Sequence, residues 1–260
     1  MINNYISKNV IYNKNRITMG RFNSISGKVT IGNDVSIGNG CTIEGDIIIE
    51  EGTTIGNNVT IINCVKIGKN NQIFSGVSIG YKAQHKKENF PHKRSILIGD
   101  NNIIRENCTI HLPYGSNFTT IKNSCFIMVN SNIPHDATIH NHVTIAYNVA
   151  IGGSCEIFEY ANIGLNSTLH QGVKIGQSSM IGMGTEIKKD VLPFSTIYNK
   201  TEKVIKINYV GIERNFSNSI TIEEIDFFYT YIKKYKRFPP NLSEEFQNIL
   251  TPFKDAIFYE

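Results

Sequence analysis

The side chains of this 260-residue chain best suited to chemistry are histidines. An imidazole exchanges a proton near neutral pH and, when neutral, binds metals. His111 follows Ile110, His170 follows Leu169, and His135 stands two residues after Ile133. His135 and His140 are five positions apart, a spacing that two zinc ligands can have. A zinc site needs a third protein ligand and an open position, and no third ligand is evident beside them. A second concentration of reactive groups is basic. Residues 81–95 carry Lys82, His85, Lys86, Lys87, His92, Lys93 and Arg94 against one acid, Glu88. Such a stretch is either a solvated charged loop or a binder of phosphates or of an acidic carrier protein. Cys41, Cys64, Cys108, Cys125 and Cys155 form no CxxC pair, which fits reduced thiols in a cytoplasmic protein.

A repeat supplies the frame for these groups. Ile31, Ile37, Ile43, Ile49, Ile55, Ile61, Ile67, Ile73 and Ile79 recur every six residues, often followed by Gly. The pattern resumes at Ile98, Ile104 and Ile110, then runs from Ile121 to Ile187 with Leu169 in one place. A period of six fits neither a 3.6-residue helix nor an alternating strand. It fits short strands joined by tight turns, each strand turning one aliphatic inward. Asn and Gly suit the turns because they tolerate positive φ. Three hexads close a triangular coil, and coils stack about 4.8 Å apart as parallel strands do. The expected fold is mainly β, a parallel β-helix with a small C-terminal α-helical tail. Residues 1–190 form the β-helix, with insertions at 81–95 and 112–119. Residues 191–260 form a connector and a helical domain. In it, 188–219 read as irregular, Thr221 to Glu224 form a capping box opening Ile222–Tyr235, and Asn241 to Glu244 cap a last helix running to Leu250.

The phase of the repeat predicts a site. If each insertion is a loop on a continuous coil, Ile79, Ile110, Ile133, Ile151 and Leu169 share one face. Both loops then leave on one side, the side of His111, His135 and His170. His135 lies directly over Gly153 and Gln171. A bare scaffold needs neither the loops nor the histidines.

Composition narrows the classes. A net charge of +4 is too mild for a nucleic-acid binder. No stretch of about 20 apolar residues spans a membrane, and the N-terminus shows no apolar leader run.

Several segments resemble the UDP-N-acetylglucosamine O-acyltransferase family of lipid A biosynthesis. They are the run from Gly99 to Glu106 with Thr109 to His111, the run from Asn130 to Asp136, Leu169 to Gln171, and Gly211 to Arg214. The resemblance covers about residues 67–215. It implies a left-handed coil and a homotrimer with sites in the clefts between prisms, where His135 of one chain meets the first loop or Arg214 of another. It implies that His135 is the general base, that Asp136 orients it, and that the Gly153 N–H faces the oxyanion. His111 and His170 would line the sugar and phosphate side, with Gln171 and Arg214 near the nucleotide and Gln84 and His85 at the sugar. The donor would be an acyl thioester of acyl carrier protein or coenzyme A, with no metal and no tightly bound cofactor.

The chain departs from the family pattern where the acceptor would be read. His85 stands where the family has an acid, and Asn132 where it has a histidine. Ser154 replaces another histidine, Val210 a glutamate, and the usual His-Pro-Thr-Ala opening is absent. Three alternatives stay open: N-acylation of a nucleotide-linked amino-deoxysugar, a γ-class carbonic anhydrase-like metal enzyme, and an inactive prism.

Overall fold

The structure, a computed structural model, describes residues 4–86, 94–198, 206–215 and 220–255. Most hexads give a two-residue strand whose second residue is a buried aliphatic, as in Ser36–Ile37, Thr54–Ile55 and Gln72–Ile73. Parallel pairing stacks these residues without slippage. One face carries the column Ile37, Ile55, Ile73, Ile104, Ile127, Ile145, Ile163, Ile181 and Ile197. Every member of this column is at most 3% exposed, and with the columns of the other two faces it forms the core of the prism. Positive φ falls on turn asparagines such as Asn58, Asn70, Asn130, Asn148 and Asn166, as the turn chemistry requires.

The first coils turn one corner differently. Ser24–Ile31, Thr42–Ile49 and Thr60–Ile67 are continuous eight-residue strands that run round it. Gly45 makes the bend at φ +139, where a β-carbon would lie 2.1 Å from the Asn63 carbonyl. Only a residue without a side chain lets the two coils approach this closely.

Both insertions leave the coil intact. The first separates Ser78–Tyr81 from Ser95–Ile98, and the second separates Thr109–His111 from Phe118–Ile121. Ile79 pairs with Ile110, Ile110 with Ile133, and Ile151 with Leu169. The register expected from counting holds.

The connector differs from its reading. Ser195–Ile197 pairs in parallel with Met180–Ile181, extending the prism past Ile187, and Lys206–Ile207 pairs with it antiparallel. Helix α1, Tyr209–Asn215, follows. Leu192, Pro193 and Phe194 hide the hexad, because Leu192 and Phe194 pack into the tail core rather than the prism. A seven-residue helix is too short to show a 3.6-residue period.

Helix α2, Ile222–Tyr235, matches its expected bounds. Its apolar face of Ile225, Phe228 and Ile232 closes a separate core with Phe194, Ile212, Phe246 and Phe253. Thr221 caps it by accepting from the Glu224 N–H at 3.2 Å. The reciprocal half of the capping box goes elsewhere: the Glu224 carboxylate accepts from the Ser243 N–H at 2.5 Å and its hydroxyl at 3.0 Å. Helix α3, Glu244–Leu250, is capped by Ser243 rather than Asn241.

Candidate active site

His135 occupies the turn after Asn132–Ile133 and is 7% exposed. Its Nδ1 lies 2.8 Å from Asp136 Oδ2. The coil above carries Gly153 at the same turn position, where a β-carbon would sit 2.3 Å from His135 Cε1 and 2.5 Å from Nε2. The imidazole therefore lies against bare backbone. On the next edge, turn N–H groups are taken by side chains from the coil above, Arg21 by Asn39 Oδ1 and Asn39 by Asn57 Oδ1. The Gly153 N–H has no such partner among the described residues.

The second loop wraps the Asp136 carboxylate. Oδ1 accepts from the N–H groups of Tyr114 at 3.0 Å, Gly115 at 3.1 Å and Ser116 at 2.7 Å, and from the Ser116 hydroxyl at 2.6 Å. Burial alone acts to raise the pKa of Asp136. The donors from Ser116, Gly115 and His135 outweigh it and hold the carboxyl at about 2. Asp136 is thus an anion throughout the physiological range, and the proton between the two residues belongs on His135 Nδ1. That leaves Nε2 as the proton-accepting atom.

The first loop closes the opposite wall. His85 stacks on Tyr114 with ring centroids 3.8 Å apart, and stands edge-on to His135 at 6.1 Å. Arg94 donates to the Pro113 carbonyl at 3.1 Å. The two insertions converge on His135 within one chain, so the first-loop partner expected from a neighbouring chain is present in the same one. Lys87, His92 and Lys93 lie outside the described residues.

The other expected site residues divide. His111 is buried, its Nδ1 3.0 Å from the Lys82 carbonyl, while its Nε2 has no partner among the described residues. Asn132 braces adjacent coils, accepting from the Thr109 hydroxyl at 3.1 Å and donating to the Ile151 carbonyl at 3.1 Å. Gln84 is exposed beside His85, and His170 and Gln171 are exposed on the turn above Gly153. Arg214 lies in the last turn of α1, which Asn208 ties to the Ser178 carbonyl on the edge of His142 and Tyr160. One chain does not bring Arg214 to His135. Nor does it bring His140 there, since His140 lies between Glu156 and Glu159 at 2.9 and 3.0 Å. No group of three potential metal ligands occurs among the described residues. Periodicity missed Tyr114, Gly115 and Ser116, because a loop has no period.

A coil of hexads places the chain among the hexapeptide-repeat proteins. The family model for the bacterial transferase hexapeptide (six repeats) matches residues 28–63 and 118–153. The acyl-[acyl-carrier-protein]–UDP-N-acetylglucosamine O-acyltransferase of Stutzerimonas stutzeri is 34% identical over 121 residues, 46% of this chain. The chain spans about half the length of the curated relatives it matches, 47% in that case. Solved structures match more fully. A UDP-N-acetylglucosamine acyltransferase is 30% identical across 97% of this chain and 93% of its own, with a TM-score of 0.75. LpxA from Acinetobacter baumannii is 27% identical across 97% and 95%, with a TM-score of 0.70. The chain belongs to the UDP-N-acetylglucosamine acyltransferase family of hexapeptide-repeat proteins.

Proposed function

We propose that the protein transfers an acyl group from a thioester, carried by acyl carrier protein or coenzyme A, to a nucleotide-linked sugar. The observation that carries this reading is His135, paired through Nδ1 with an anionic Asp136 and laid against Gly153 between two loops. Nε2 takes the proton of the acceptor hydroxyl as its oxygen attacks the thioester carbonyl. The Gly153 N–H, free of protein partners among the described residues, donates to the oxyanion. The intermediate collapses to the ester, the C–S bond breaks, and the thiolate recovers the proton from His135. Asp136 stabilises the transient imidazolium.

His111, His85 and Gln84 would face the acceptor, with Asn132 holding the strand behind them. His170, Gln171 and Arg214 would take the nucleotide side. For Arg214 this requires a second copy of the chain, as in a homotrimer with sites between prisms. N-acylation of an amino-deoxysugar is the second reading. Its support is His85, standing where the resembled family has an acid: with no anion at that place, an amine acceptor loses its proton more readily and attacks as the neutral nucleophile.

The test crosses two donors, 3-hydroxyacyl carrier protein and acyl-coenzyme A, with two acceptors, UDP-N-acetylglucosamine and an amino-deoxysugar nucleotide. Carrier-protein-dependent turnover of UDP-N-acetylglucosamine, lost in His135→Ala, supports the first reading. Turnover of the amino sugar alone supports the second. Turnover of neither ends both.

A further inference from the structure

We propose that Ser116 is a positioning residue for His135, acting through Asp136. Three consecutive N–H groups, from Tyr114, Gly115 and Ser116, converge on one carboxylate. Converging amides of this kind form an anion site. Here the anion is the protein's own side chain.

The grip has a second point. Asp136 sits in the left-handed region at φ 63, and its N–H donates to Thr119 Oγ1 at 3.0 Å. The second loop and the strand Phe118–Ile121 that follows it therefore hold Asp136, the strand by its backbone and the loop by its carboxylate. With Oδ1 filled by the loop, Oδ2 is aimed at His135 Nδ1. The direction of that oxygen decides which nitrogen of the imidazole carries the proton.

Among these donors Ser116 contributes the one side chain. Its hydroxyl lies 2.6 Å from Asp136 Oδ1 and 2.8 Å from the Phe118 carbonyl. One proton serves one acceptor fully, and a carboxylate is the stronger. Removing the hydroxyl takes the shortest of the four donors from Oδ1 and loosens the aim of Oδ2 at the imidazole. The backbone donors would remain. The effect is a loss of tautomer and orientation at His135, not a loss of substrate contact.

The experiment uses the full chain with 15N-labelled histidine. His135 is one of seven histidines, and its signals are identified by their absence in His135→Ala. The wild type is expected to show His135 as the Nδ1–H tautomer. Ser116→Ala is expected to raise the share of the Nε2–H tautomer about threefold or more, the effect of losing one charge-assisted hydrogen bond. Ser116→Thr, which keeps the hydroxyl, is expected to restore the wild-type spectrum. If Ser116→Ala does not fold, Ser116→Cys, similar in size and a weaker donor, takes its place.

The kinetic arm rests on the acyltransferase reading. There Ser116→Ala is expected to lower kcat about tenfold while the acceptor KM stays within about twofold, as fits a group acting on the chemical step. An unchanged His135 spectrum in Ser116→Ala overturns the proposal. So does a Ser116→Thr variant as perturbed as Ser116→Ala, which would mark Ser116 as a packing residue. Absence of all acyl transfer by the wild type overturns the functional reading, and the tautomer comparison still decides the role of Ser116.

Discussion

The His135 ring lies so close to Gly153 that a β-carbon there would overlap three ring atoms, at 2.3 to 2.9 Å. The ring cannot yield easily. It is buried, and its Nδ1 is tied to Asp136. Gly153→Ala should displace the imidazole and lower kcat by about 100-fold or more, since misplacement on the order of 1 Å is that costly. The fold should survive, as the site is at an edge and outside the core. Wild-type kcat in purified, folded Gly153→Ala would refute the stacked geometry.

Asp136 makes an acid-range prediction. Its folded pKa, about 2, lies below the ordinary 3.8. A depressed carboxyl contributes stability above its unfolded value and loses it as pH falls through the folded one. The contribution, roughly 2 kcal/mol, should be complete above about pH 4 and fade toward pH 2. Asp136→Asn should therefore lower Tm at pH 6, and the difference should shrink toward pH 2. A Tm difference that persists unchanged at pH 2 would contradict this.

His140 predicts the opposite trend. Burial alone would lower its basicity, but hydrogen bonds to Glu156 and Glu159 outweigh it and raise the folded value above 6.5. Lys122 Nζ also lies 3.0 Å from the same Nδ1 that faces Glu159. A protonated ring serves the carboxylate, and Lys122 cannot then donate to it. A raised histidine contributes stability below its unfolded value and loses it as pH rises through the folded one. His140→Gln should destabilise by about 1 kcal/mol at pH 6 and by less at pH 9. Chemical denaturation at the two pH values measures this, and an equal loss at both would sink the assignment. The ring also stacks on Phe158, which touches Phe253, so the C-terminal turn should loosen with it.

Glu224 couples two helices. Its carboxylate takes both donors of Ser243, the residue that caps α3. Glu224→Ala should cost about 1–2 kcal/mol, because it removes a charged acceptor and slackens the α3 cap. Glu224→Gln should recover part of this. Urea unfolding separates the two, and equal stability of all three proteins would show the contact to be idle.

The sequence by itself determined the prism and the place of its edge. A hexad period sets both the inward side chain and the coil length, so counting alone stacked Ile79, Ile110, Ile133, Ile151 and Leu169 and placed His135 against Gly153. Helix α2 was legible because the capping-box pattern from Thr221 to Glu224 marks its start. Tertiary structure decided the rest. The loop from Leu112 to Thr119 has no period, so nothing local shows that its amides close on a carboxylate some 20 residues away. Glu224 was read as half of a capping box, yet a cap on another helix competes for the same carboxylate and wins. The strand Ser195–Ile197 was hidden because two of the residues before it, Leu192 and Phe194, serve the tail core. Arg214 lies on an edge set by the contact between Asn208 and Ser178, and a residue's edge follows from packing, which spacing along the chain does not encode.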